Sequence, residues 1–167
     1  MKNKKGVIEG VFVFAVIMVT LAIFILLIAK VVPSITNEFR KTAINNSAEA
    51  RTALSWSDKI VGRLDTVFMI IFIGLIMGIL ISSYFISTNK IFIPIYIILF
   101  GFTIIVGVIL HNMYEAFKTS SDLATSSATY PMMNAIIGNY VIVLIVVGIL
   151  SMILMFGKPS GGSGERI

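Results

Sequence analysis

Long apolar runs alternate with short polar connections along this chain, and four of the runs are long enough to cross a bilayer. Spanning the hydrocarbon takes about 20 mostly apolar residues, because without water every backbone amide must be satisfied inside a helix. Val11 to Ile28 carries no charge and is followed by Ala29-Lys30-Val31-Val32-Pro33. Val67 to Ile86 and Ile91 to Leu110 are also charge-free, and a fourth run extends from Ala135 to Phe156. The pattern predicts an all-α integral membrane protein, a single membrane domain over residues 1–167. Its transmembrane helices are expected at about 11–32, 65–87, 91–112 and 135–157, with an amphipathic helical connection between the first two. Residues 158–167, with Ser160-Gly-Gly-Ser-Gly164, are expected to form a flexible tail.

The connections sharpen this picture. Pro33-Ser34 is expected to end the first span, after which Ile35 and Phe39 share a helical face beside Arg40 and Lys41. Ser55-Trp-Ser-Asp58 fits a capping pattern, predicting a helix that starts there and runs unbroken through Ile60, Val61 and Leu64 into span two. On that continuous helix Trp56 would sit about 16 Å outside Val67. Trp56 then lies on a headgroup-level amphipathic helix, or packs on its own neighbours or on a partner protein. Ser87-Thr-Asn-Lys90 forces an antiparallel hairpin, and Pro94 falls in the first turn of span three, where a missing amide costs little. Thr119 to Thr129, TSSDLATSSAT, reads as a polar connection of turns and caps.

Composition agrees with a membrane assignment: 57% of the 167 residues are apolar and only 13% charged. Lys2, Lys4 and Lys5 ahead of the first run imitate a secretory leader, but the run is long and no small-residue cleavage site follows, so it is read as a retained span. A pilin-like leader is set aside because three more spans follow where a pilin has a soluble head. Four spans place both termini on one side, with Lys2, Lys4, Lys5, Lys90, Lys158 and Arg166; Lys30, Arg40, Lys41, Arg51, Lys59, Arg63 and Lys118 fall on the other. The short basic ends favour termini inside. A net charge of +5 without any basic cluster beyond three residues suits anionic headgroups better than nucleic acid.

Little reaction chemistry is offered. No ionisable residue lies at the centre of a span, which argues against a proton relay or coupled transport. His111 is the only histidine, and Glu115 at i+4 adds at most one more metal ligand, so His111 is read as interfacial. Ser82 and Ser83 have no base within helical reach, and cysteine is absent. No catalytic, cofactor-binding or metal-binding residue is assigned. The interaction signal is Gly74-Leu-Ile-Met-Gly78, extended by Ser82 into a small-residue groove that packs a helix within one chain or between chains. Tyr130-Pro131 marks a sharp helix start. Tyr130 and Tyr140 suit the headgroup level. Asn134 and Gly138, at i and i+4, are placed to face a neighbouring helix, while Asn139 points elsewhere, to headgroups or a third helix.

The order of these features resembles a family of small four-span membrane proteins of tailless icosahedral viruses, and related proviral elements, that carry a lipid membrane inside the capsid. The matching residues are Leu64-Asp65, then Asn89-Lys90-Ile91-Phe92-Ile93-Pro94. His111-Asn112-Met113-Tyr114-Glu115 follows, and last Tyr130-Pro131 through Asn134 to Asn139. The resemblance covers about Leu64 to Phe156; the first 63 residues match in layout only. It implies a non-enzymatic structural component of the virion's internal membrane, inserted first in the host membrane. Its partners would be lipids, copies of itself, and capsid or other virion membrane proteins. A holin-like or channel-forming protein, and a scaffold subunit of a cellular membrane complex, are the alternative expectations.

Overall fold

The structure, a computed structural model, describes residues 6–86, 90–121 and 123–157. The basic residues Lys2, Lys4 and Lys5, the turn residues 87–89 and the Gly/Ser tail 158–167 lie outside the described residues. Among the described residues the regular structure is helical, in the order α1 (Gly6–Arg40), α2 (Ala48–Val61), α3 (Leu64–Phe85), α4 (Ile93–Thr119), α5 (Ala124–Ser127), α6 (Pro131–Gly138) and α7 (Tyr140–Phe156). The fold is all-α. Helices α1, α3 and α4 are each long and apolar enough to cross a membrane, and α6 with α7 adds a fourth crossing if the bent pair is one span. The chain is a membrane-embedded protein.

Helix α1 is the centre of the bundle and contacts each of the other six helices. Its buried positions, Val11, Ala15, Met18, Ala22, Ile25 and Ala29, alternate in steps of four and three, so one seam faces inward along the whole apolar run. Ala15, Ala22 and Ala29 recur every seven residues, and their small side chains let neighbouring backbones come close. Equally apolar α3 and α4 lie outside. Ile95, Ile98, Phe102, Ile105 and Ile109 of α4 recur at the same steps but face outward, as do Ile70, Ile73, Met77 and Ile81 of α3. A stripe of this kind has lipid as its natural solvent.

Two expected boundaries are corrected. Pro33 does not end the first span: α1 continues seven residues past it, to Arg40. Proline leaves the Ala29 carbonyl without its helical donor, and nearby hydroxyls bond other carbonyls of the same stretch, Ser34 Oγ donating to Lys30 and Thr36 Oγ1 to Val32, each at 2.8 Å. The second helix does not start at Ser55. It starts at Ala48, where Ser47 accepts a hydrogen bond from the Ala50 amide at 3.1 Å and Glu49 sits in the first turn. Ser55 instead donates to the Thr52 carbonyl within the helix, and Asp58 pairs with Arg40 of α1. Nor does this helix run into span two: α2 ends at Val61, and the Gly62 amide closes it on the Asp58 carbonyl at 2.9 Å before α3 begins at Leu64.

Candidate functional site

The fourth apolar segment is broken. α6 and α7 meet at Asn139 with a bend of 66°, and side chains from α3 and α4 hold α6 in that position. Pro131, first residue of α6, has no amide hydrogen to satisfy. The next two amides, of Met132 and Met133, donate to the two carboxylate oxygens of Asp65 at 3.0 and 2.8 Å. Asp65 stands in the first turn of α3, 67 and 68 residues away in sequence, so it caps a helix to which it does not belong. Its negative charge meets the positive end of the α6 dipole, leaving that end closed to an outside anion.

Around this cap several polar groups tie neighbouring segments together. Tyr114 of α4 donates to Asn134 Oδ1 at 2.7 Å, and Asn134 Nδ2 donates to the Ser127 carbonyl at 2.7 Å. Tyr130 donates to the Val61 carbonyl at 3.2 Å, tying the start of α6 to the end of α2. Burial first, and the neighbouring Asp65 carboxylate second, push the Tyr130 hydroxyl above its usual range, so it remains a donor at ordinary pH. His111 Nδ1 lies 2.9 Å from the Ile137 carbonyl beside the break. A carbonyl only accepts, so this nitrogen carries the hydrogen. Just past the break, Tyr140 reaches across the bundle and donates to the Ala15 carbonyl of α1 at 2.5 Å.

A second, smaller fastening sits toward the other end of the bundle. Ser83 and Ser151 hydroxyls meet at 2.5 Å, and Tyr96 donates to the Gly148 carbonyl at 2.9 Å. The Tyr96 ring stacks on Phe100 and meets Phe156 edge-on, and the Phe100 ring fills the space that a side chain at Gly148 would need. Among the described residues no buried side-chain nitrogen or oxygen lacks a partner, and no three acidic, histidine or cysteine side chains gather as a metal site would require. What these groups can do is fasten helices.

The residues singled out from the sequence have mixed fates. Tyr130 and Tyr140 are not at the headgroup surface: they are 1% and 0% exposed, and their hydroxyls bond protein carbonyls. Asn134 does bond a neighbouring helix, but Gly138 is exposed, and among the described residues no other helix comes near the position of a missing Cβ. Asn139 bonds back to Ala135 of its own turn. His111 is half-buried and fixed to α6. Gly74, Gly78 and Ser82 line an open groove of about 280 Å³ with Gly10, Val13 and Ile17 of α1, and among the described residues no other helix stands within 4 Å of a Cβ built at Gly74 or Gly78. Trp56 is exposed on α2. Asp65 and Tyr114 stand in the sequence only as residues of the family resemblance, with no packing role expected of them, and Tyr96 carries no expectation. An acid one residue into a span was a visible signal, but its partner lay in another helix.

Compared with protein families, with curated proteins and with solved structures, the chain matches none.

Proposed function

We propose that the chain is a non-enzymatic structural membrane protein of a viral particle's internal membrane, packing in lipid and linking that membrane to the capsid. The observation that carries the reading is how the polar groups are used. The buried hydroxyls of Ser83, Ser151, Tyr96, Tyr114, Tyr130 and Tyr140 tie separate helices together, those of Thr36, Thr103 and Ser127 return to carbonyls of their own helix, and α3 and α4 turn apolar stripes outward. Such a molecule is suited to occupying and stiffening a bilayer. The open Gly74/Gly78/Ser82 groove offers a place for copies of the chain to approach one another. The viral setting comes from the resemblance of Leu64 to Phe156 to small four-span virion proteins. The test is to purify particles by density, then quantify this chain against the major capsid protein before and after detergent. Many copies per particle, lost together with the lipid, are expected. Absence from particles while the chain persists in the host membrane would overturn the proposal.

A further inference from the structure

Helix α2 shows three distinct sides. At 100° per residue, Ala50, Leu54, Ser57 and Val61 fall within an arc of about 60°. All four are half-buried, and α1 is the long helix that α2 packs against. The polar arc carries Arg51, Thr52, Ser55, Asp58 and Lys59. Between them lies a third face of about 60°, formed by Ala53, Trp56 and Ile60. Among the described residues nothing covers it: Trp56 is 60% and Ile60 61% exposed. Glu49 shares this bearing, but it stands in the first turn, about 10 Å along the axis from Trp56.

We infer that the Ala53–Trp56–Ile60 face of α2 lies on the bilayer surface, seated among anionic headgroups. Two observations select lipid as the occupant. The first is continuity. The outward apolar stripe of α1 does not stop where its charge-free run does but continues through Val31, Ile35 and Phe39, all exposed, so the lipid-covered surface extends into the part of α1 that follows Pro33. At the other end of α2, Ile60 precedes the apolar run of α3 by only seven residues, and the break at Gly62–Arg63 frees α2 from the α3 axis. Trp56 is therefore not held on a continuous helix far outside the bilayer.

The second is charge. Lys59 borders the apolar face and Arg63 follows it toward α3, Asp58 is engaged by Arg40, and Arg51 stands on the opposite side of the helix, about 170° from the face. The Lys59 ammonium sits 5.5 Å from the Trp56 ring centroid, at the edge of the apolar face, where a long basic side chain can reach up to phosphate while its stem covers apolar surface. Tryptophan with a flanking lysine suits the membrane–water boundary. The arrangement turns the polar arc of α2 away from the membrane.

Trp56 is the only tryptophan in the chain, so its fluorescence reports this face without labelling. The full-length protein is reconstituted in phosphatidylcholine vesicles with or without phosphatidylglycerol. Quenching is then measured with lipids brominated close to the headgroup and with aqueous iodide. In the anionic vesicles the expected emission is blue-shifted, with lipid quenching exceeding iodide quenching about twofold or more. Ile60→Asn, at an exposed position, is expected to shift the balance toward iodide, and Lys59→Gln with Arg63→Gln to reduce the difference between the two vesicle types. Emission typical of water, open to iodide and insensitive to brominated lipid, would overturn the inference and assign the face to a protein partner. Lipid quenching that is equal with and without anionic lipid would overturn its headgroup part. The inference rests on the membrane embedding alone, so its failure and the failure of the viral proposal are separate outcomes.

Discussion

Two stripes of small residues run along this bundle, and they behave in opposite ways. On α3, Gly74, Gly78 and Ser82 form the pattern that most plainly advertises helix packing, yet the two glycines face open space. On α1, Ala15, Ala22 and Ala29 form no short motif, yet they are 0%, 0% and 8% exposed, at the centre of the fold. The closest approaches elsewhere occur at isolated glycines: a Cβ at Gly107 would meet the Leu144 methyl, and one at Gly148 would overlap the Phe100 ring. A small residue permits close approach but does not bring a partner. The partner comes from the register of everything else on the helix, and on α1 nine buried apolar positions share that register.

The contrast can be broken by enlarging small residues. Gly148→Leu should do most damage, because the space is held by a stiff aromatic ring that stacks on Tyr96; about 3 kcal/mol or more of stability is expected to be lost, read from unfolding in detergent. Asp65→Ala removes the acceptor for two α6 amides without touching either stripe. A loss of about 1–2 kcal/mol is expected, with faster hydrogen exchange at Met132 and Met133. Asp65→Asn should retain part of it, since its carbonyl oxygen still accepts. Gly107→Ala should cost less than about 1 kcal/mol, because a leucine methyl can rotate aside where a ring cannot.

Fold class was legible in the sequence because lipid imposes a simple rule: a charge-free run that long must be a helix, and four such runs make an all-α membrane protein. Lengths and breaks were less legible. Pro33 carries a stop signal, yet α1 runs on to Arg40; beyond the proline Thr36 is the one buried residue of the helix, its hydroxyl bonded to the Val32 carbonyl. Gly138-Asn139 is a helix-end signal, but the groups that hold α6 at the bend, Asp65, Tyr114 and His111, lie on other helices. Tyr130 and Tyr140 follow the same lesson. A tyrosine near the end of a span suits headgroups by composition, but a carbonyl offered by another helix decides where its hydroxyl goes. The seven-residue spacing of Ala15, Ala22 and Ala29 is the readable sign of the central helix, and the glycine motif on α3 is not.

The most direct measurement places the same side chain on each stripe. Ala22→Leu and Gly78→Leu would be unfolded side by side in dilute detergent, where copies of the chain are kept apart. Ala22→Leu is expected to lose about 3 kcal/mol, because no space exists around it, and Gly78→Leu to stay within about 0.5 kcal/mol of the parent. Equal, large losses from both substitutions would contradict the account, since they would mean that the groove on α3 is filled by this chain's own helices.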